Sequence, residues 1–139
     1  MNKYWLFFLF FSLVSNAQKY EFGKVTKAEL LEKQHPLDST AIAAFLLKKA
    51  RTYFYYSENK GFVSETEFEI KIKIYSKEGL KWANYVVSYY VGWNELNKDN
   101  VYFSEAVTYN LENGEIKKTK LNSEGILKVN LNEYWSKKT

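Results

Sequence analysis

The stretch from Phe62 to Tyr75, FVSETEFEIKIKIY, constrains the fold more than any other part of the chain. From Thr66 to Ile74 every second residue is apolar or threonine, and the residues between them are charged. Successive side chains of an extended strand leave opposite faces of a sheet, so one face of this strand is apolar and the other ionic. The alternation predicts the central strand of an antiparallel sheet, with its apolar face covered and its charged face in water.

Further strands joined by tight turns are indicated along the chain. Alternation or aromatic content predicts strands over residues 45–56, 85–91, 101–111, 115–121 and 126–131. Asn113-Gly114 is the strongest hairpin signal, because both residues tolerate the positive φ of the turn that matches strand twist. Residues 38–50 fit either a helix or a strand, and we expect a helical turn over Thr40–Ala44 that gives way to a strand.

A short helix is predicted before these strands, over residues 26–34. Thr26 followed by Glu29 matches a capping box, and His35-Pro36 ends the helix because a proline disfavours helical geometry in the residue before it. The fold class expected is mainly β, an antiparallel sheet or sandwich-like domain with a short N-terminal helical lead-in.

Residues 1–17 are typical of a secretory signal peptide. Lys3 supplies the positive start, Tyr4 to Val14 is a nearly unbroken apolar run, and Ser15-Asn16-Ala17 fits a cleavage site before Gln18. An uncleaved membrane anchor or a buried helix is the alternative. We expect an exported chain, periplasmic or secreted, with residues 18–139 forming one β-rich domain that does not associate with a membrane after cleavage.

Composition excludes several classes of chemistry. The chain has no cysteine, which rules out disulfides, thiolate metal sites, a cysteine nucleophile and a lipidated cysteine. The net charge of +4 is mild, and the lysines are interleaved with glutamates, so nucleic acid is not an expected partner. Two basic groups, Lys48-Lys49-Arg51 and Lys117-Lys118-Lys120, fit strand-edge charges that oppose aggregation better than they fit an anion site.

No catalytic, cofactor or metal residues are predicted. His35 is the single histidine, and its sequence neighbours offer no partner for catalysis or metal binding. Glu65, Glu67 and Glu69 share one strand face at about 6.5–7 Å spacing, within the range that glycosidases use, and carboxylates are also calcium ligands. A solvated face whose glutamates pair with lysines such as Lys117 to Lys120 is the interpretation that the sequence favours.

Aromatic residues supply the candidate binding surface. Trp93 lies in the polar loop GWNELNKDN, and Trp82, Tyr89 and Tyr90 lie in the segment before it. Exposed aromatic clusters bind sugar rings or apolar partner surfaces, whereas most aromatic residues belong to a core. Trp93 is the best candidate for exposure, and a protein or a cell-envelope glycan is the expected partner.

Three segments together resemble a known family. They are KVTKAELLEKQHPLDSTAIAAFLL, FEIKIKIYSKEGLKWA and AVTYNLENGEIKKTKL, which cover most of residues 24–131. The chain resembles the N-terminal domain of exported bacterial transglutaminase-like proteins, the domain of unknown function 3857 family, at Pro36 and Asp38, at Lys71 to Leu80, and at Thr108 to Gly114. The resemblance implies a β-rich accessory domain and no activity for this chain.

The chain departs from that family in two ways. It has no Cys, His and Asp set of a transglutaminase domain, and it stops at Thr139, where family members continue through further strands. We therefore expect a domain that is incomplete at its C-terminus. The function expected is a non-catalytic interaction module, and the alternatives are a carboxylate-based hydrolase and a fragment of a longer transglutaminase-like protein.

Overall fold

The computed structural model describes residues 20–94 and 97–139, so the predicted signal peptide lies outside the described residues. The elements are α1 Lys27–Leu31, β1 Ala43–Ser57, β2 Gly61–Ile74, a 3-10 helix Lys77–Ala83, β3 Val87–Tyr90, β4 Val107–Glu112, β5 Glu115–Lys120, a 3-10 turn Ser123–Gly125, β6 Lys128–Asn130 and β7 Trp135–Lys138. In the described ranges no helix is long and apolar enough to cross a membrane. The chain is mainly β with antiparallel pairing, as predicted.

The strands form three small sheets. The longest is the hairpin of β1 and β2, the second is the hairpin of β4 and β5, and the third has the order β3-β7-β6. Within the described part of the chain β2 pairs with β1 alone, so the prediction of a central strand is wrong. Alternation identified the strand and its two faces, but it carries no information about how many neighbours a strand has.

The β1–β2 hairpin resolves the ambiguity over residues 38–50. Strand β1 begins at Ala43, two residues before the predicted start. The Asp38 carboxylate accepts hydrogen bonds from the backbone N–H of Thr40 at 3.0 Å and from its hydroxyl at 2.6 Å. That turn occupies the place of the predicted helical turn, and the extended backbone follows at once because β1 has a full-length partner in β2.

Only the base of the hairpin is covered on its apolar face. The 3-10 helix Lys77–Ala83 contacts β2 and β1 there, and Trp82 packs edge-on against Phe45 with ring centroids 6.1 Å apart. Ile72 and Ile74 are half-buried at this base, whereas Phe68, farther along the same face, is 53% exposed. The expected coverage of the apolar face is therefore confirmed for the base and wrong for the distal part.

The ionic face of β2 is also covered at its base, which corrects the prediction that its charges lie in water. Lys73 and Glu29 are each 9% exposed, and Lys71 forms an ion pair with Glu29 at 2.9 Å. The Lys73 ammonium donates to the backbone carbonyl of Glu29. Burial lowers the pKa of Lys73, and the charges of Glu32 and Glu29 oppose that shift. The long lysine stems let helix α1 pack on a charged strand face.

Helix α1 is shorter than predicted. Thr26 Oγ1 accepts from the N–H of Glu29 at 3.1 Å, so the predicted N-cap forms. The second half of the capping box is replaced by the pairing of Glu29 with Lys71. The backbone is already extended at Glu32, well before Pro36, so the proline does not set the end of the helix.

The β4–β5 hairpin forms where Asn113-Gly114 predicted it. Both turn residues have positive φ, 51° at Asn113 and 77° at Gly114, which is the geometry that favours this pair. Strand β4 begins at Val107, so the first part of the predicted strand 101–111 is not a strand. The hydroxyl of Tyr109 donates to the carbonyl of Gly23 at 3.1 Å and ties this hairpin to the lead-in.

The third sheet contains a strand that the sequence did not predict. Strand β7 pairs with β3 and with β6, and its Ser136 is 1% exposed. The Ser136 hydroxyl donates to Asn130 Oδ1 at 2.9 Å, which satisfies the buried group. The predicted last strand, residues 126–131, is reduced to β6, and β7 follows it as a second strand of the same hairpin.

Candidate functional site

Strand β3 sends its two tyrosines to opposite faces of the third sheet. Tyr89 is 7% exposed and is the one large apolar side chain classed as buried among the described residues. Tyr90 lies across the sheet, where its ring stacks on Tyr134 with centroids 6.5 Å apart and meets the edge of Trp135 at 5.7 Å. The two neighbours in sequence therefore cannot belong to one binding surface.

The loop after β3 is closed at its neck by two hydrogen bonds between Tyr90 and Asp99. The Asp99 N–H donates to the carbonyl of Tyr90 at 2.8 Å, and the Asp99 carboxylate accepts from the N–H of Tyr90 at 3.0 Å. These hydrogen bonds fix both ends of the loop over residues 91–98, of which the structure describes all but residues 95 and 96. Trp93 is carried on this excursion and is 75% exposed.

Gly92 is required for the path of this loop. Its φ of 64° is in the left-handed region, and a Cβ atom at this position would lie 1.8 Å from the carbonyl oxygen of Asn97. The loop therefore folds back on itself at a point where no side chain fits. The Asn97 N–H also donates to Asn94 Oδ1 at 2.9 Å, which tightens the same bend.

The loop and the third sheet border an open cleft of about 450 Å³. Its lining combines three aromatic rings with three lysines and with smaller polar groups. These residues are Tyr89, Trp93 and Tyr102; Lys98, Lys128 and Lys138; and Asn94, Asp99 and Asn100. The volume is within the range of small-ligand sites, about 300–1,000 Å³.

Lys138 contacts three residues of the cleft lining. Its ammonium nitrogen donates to the carbonyl of Val101 at 2.5 Å and lies 5.9 Å from the ring centroid of Tyr89 and 5.7 Å from that of Tyr102. A cation over a ring face at these distances is held by the negative face of the ring. The ammonium thus links the buried ring of Tyr89 to the ring of Tyr102, which is 80% exposed.

The arrangement is suited to binding. Trp93 and Tyr102 offer exposed ring faces, and the lysines and asparagines offer hydrogen-bond donors. Asp99 is the carboxylate of the described lining, and it already accepts a hydrogen bond from the loop neck. In residues 20–94 and 97–139, no group of three or more His, Cys, Asp or Glu side chains is placed to hold a metal ion.

The four aromatic residues predicted as a binding surface are distributed over three places. Trp93 and Tyr89 both line the cleft, where Tyr89 is buried and Trp93 is exposed. Tyr90 lies on the other face of the sheet, and Trp82 packs on the base of the hairpin, 47% exposed. Lys138 was missed because strand β7, which carries it, could not be predicted from its polar sequence. Tyr102 was missed because it lies within the predicted strand 101–111, the first part of which does not form.

The glutamates of β2 lie on an exposed face and Glu69 pairs with a lysine of the neighbouring strand, as predicted, but the partners come from β1. Glu69 accepts from Lys49 at 3.0 Å, and Glu67 accepts from the hydroxyl of Tyr53 at 3.0 Å. Both partners belong to β1, whereas Lys117, one of the predicted partners, pairs with Glu112 at 2.9 Å. The hairpin register supplies these neighbours, so the glutamates form an exposed ionic face along β1 and β2.

His35 lies in the loop after α1. Its Nδ1 accepts from the N–H of Leu37 at 3.3 Å, and its ring meets the edge of Tyr75 with centroids 6.2 Å apart. Burial raises the pKa of Tyr75, and the charge of Glu32 adds to that rise. The histidine is accordingly engaged in local structure at the base of the hairpin.

Comparisons with protein-family models, with curated proteins and with solved structures give no match for this chain. The resemblance to accessory domains of transglutaminase-like proteins therefore stays a prediction from the three quoted segments.

Proposed function

We propose that this chain is an exported, non-catalytic binding domain and that the cleft under Trp93 holds an acidic glycan of the cell envelope. The observation that carries the proposal is that the exposed rings of Trp93 and Tyr102 line the same cleft as the Lys138 ammonium, which donates to the carbonyl of Val101. Flat aromatic faces stack on the apolar C–H faces of sugar rings, while ammonium and amide groups donate to hydroxyls and carboxylates.

The charge of the cleft favours an acidic ligand over a neutral one. Lys128 and Lys138 line it, and Asp99 is the one carboxylate among the described residues of the lining. A surplus of ammonium groups attracts anions and raises their local concentration. Glycans with carboxylate or phosphate groups combine this charge with the sugar rings that aromatic faces accept.

Export is part of the proposal because of the predicted signal peptide over residues 1–17. An accessory role also agrees with the resemblance to the N-terminal domain of transglutaminase-like proteins. A protein partner is the other candidate for the aromatic surface. The glycan is favoured because the cleft combines aromatic rings with ammonium and amide groups and is not a purely apolar patch.

The carboxylate-hydrolase alternative has less support. General acid catalysis at a glycosidic bond needs a carboxyl whose pKa is raised by burial. The glutamates of β2 instead lie on an exposed strand face, where Glu67 and Glu69 accept hydrogen bonds from Tyr53 and Lys49.

Isothermal titration of the exported protein with an acidic envelope polysaccharide tests the proposal. Trp93→Ala removes an exposed stacking face, and we expect it to raise Kd at least about tenfold, or about 1.4 kcal/mol. Trp82→Ala is the matched control, since it removes an exposed tryptophan outside the cleft and should leave Kd within about twofold. Equal affinity of the Trp93→Ala variant and the unmodified chain would remove the basis of the proposal.

A further inference from the structure

The distal arm of the β1–β2 hairpin, residues 50–68, has one face without any charged residue. Paired residues of an antiparallel ladder point the same way, so the register defines the members of this neutral face. They are Ala50, Thr52, Phe54 and Tyr56 of β1 and Phe62, Ser64, Thr66 and Phe68 of β2. The opposite, ionic face carries Arg51, Glu65 and Glu67.

The aromatic residues of the neutral face are exposed to solvent. Phe54 is 80% exposed, Tyr56 66%, Phe62 90% and Phe68 53%. The 3-10 helix that covers the same face at the base of the hairpin reaches Phe45 through Trp82. Phe54, Tyr56 and Phe62 cluster near the tip, and Phe68 lies beyond the Thr52–Thr66 pair. Exposed aromatic residues gathered on one uncharged face mark an interaction surface.

We propose that two copies of the chain pack the neutral faces of their distal arms against each other, face to face, across a twofold axis. The two hairpins then form the two layers of a small sandwich, with the aromatic rings of both arms between them. Each copy contributes the same patch, as in a closed dimer with a self-complementary interface. The proposal is independent of the glycan cleft, which lies on the third sheet.

The exposed aromatic area bounds what the dimer can bury through these rings. With about 200 Å² for each aromatic side chain, the four exposed fractions amount to roughly 600 Å² per arm. Two facing arms would therefore bury at most roughly 1,200 Å² of aromatic surface, which reaches the lower end of stable protein interfaces. At the centre of the face, the hydroxyls of Thr52 and Thr66 are hydrogen-bonded to each other at 2.9 Å. Neither residue presents a charge to the second copy.

Charge favours a second copy over an anionic membrane. Two neutral faces can pack together without repulsion between like charges. The ionic face of the arm has two carboxylates, Glu65 and Glu67, for one guanidinium, Arg51, so anionic lipid would repel it. The tip of the arm is the polar turn Glu58-Asn59-Lys60, so insertion of the tip into hydrocarbon would bury charged groups.

Analytical ultracentrifugation of the exported protein tests the proposal. We expect a concentration-dependent monomer–dimer equilibrium. Phe54→Lys places a charge in the middle of the interface and should raise the dimer dissociation constant at least about tenfold. Tyr55→Lys, one residue away on the opposite face, is the matched control and should change that constant by less than about threefold. Circular dichroism of both variants checks that the hairpin is retained.

A second measurement uses the absence of natural cysteines to place spin labels at chosen positions. A nitroxide is attached to Thr66→Cys on the neutral face or to Glu67→Cys on the ionic face. Face-to-face packing places the two Thr66 positions on sheets about 10 Å apart and gives short spin–spin distances. The Glu67 labels point away from each other and should give clearly longer distances.

Three results would overturn the proposal. One is a monomer at every concentration measured, which would leave the glycan proposal untouched. Another is a dimer whose dissociation constant changes equally in Phe54→Lys and Tyr55→Lys, or in neither, because that is the result expected for edge-to-edge pairing of strands. The third is a dimer in which the Glu67 labels lie closer together than the Thr66 labels.

Discussion

Lys71 and Lys73 hold the lead-in against the long hairpin by their ammonium groups. Lys71 pairs with Glu29 at 2.9 Å and also donates to the carbonyl of Lys24 at 2.6 Å. Both members of the ion pair are almost fully buried, with exposed fractions of 11% for Lys71 and 9% for Glu29. A buried pair of this kind contributes little compared with an apolar pair of the same shape, but breaking it is costly.

Removal of the Lys71 charge should therefore destabilise the fold. Lys71→Met leaves the Glu29 carboxylate buried without its ammonium partner, and we expect the free energy of unfolding to fall by about 3–5 kcal/mol. Lys49→Met is the control, because its pair with Glu69 is exposed and is worth less than about 1 kcal/mol. Chemical denaturation of the three proteins measures both values. A similar small loss for both variants would contradict the role assigned to Lys71.

At the scale of elements, the loop after β3 determines whether the cleft exists. Its neck is closed by Tyr90 and Asp99, and its bend depends on Gly92, where a Cβ would lie 1.8 Å from Asn97 O. Trp93 follows this glycine directly. The position of the stacking ring is therefore set by a backbone conformation that other residues rarely adopt.

Gly92→Ala should distort the loop. Gly23→Ala is its matched control, since Gly23 also has a positive φ, 73°, but has no atom within 4 Å of the added Cβ. We expect about 1 kcal/mol of destabilisation for Gly23→Ala from the left-handed backbone alone, and roughly 2–4 kcal/mol for Gly92→Ala. Glycan affinity should fall for Gly92→Ala alone. Equal losses of stability in the two variants would show that the contact with Asn97 is not limiting.

Local signals explain which elements could be predicted from the sequence. Asn113-Gly114 specifies its own turn, and the alternation from Thr66 to Ile74 specifies a strand, so both were found. Strand β7 was missed because its sequence WSKK has no apolar alternation. It is extended because β3 and β6 lie on either side of it. The cleft could not be predicted for the same reason, because Lys138 reaches Tyr89 only through the pairing of β7 with β3.

Considered as a whole molecule, the chain separates two surfaces with different chemistry. The third sheet and its loop carry an aromatic and basic cleft, and the distal arm of the hairpin carries a neutral aromatic face. The charges on β2 could be assigned to one face from the sequence. Their partial burial depended on the packing of α1, which no local pattern encodes.

Nuclear magnetic resonance titration of the exported protein with an acidic envelope glycan tests the central claim most directly. The indole N–H signals of Trp93 and Trp82 report on the cleft and on the base of the hairpin, respectively, and Lys138 reports on the cleft floor. We expect the Trp93 and Lys138 signals to shift with a common saturation curve while the Trp82 signal stays in place. Saturable shifts at Trp82 with no change at Trp93 or Lys138 would contradict the account.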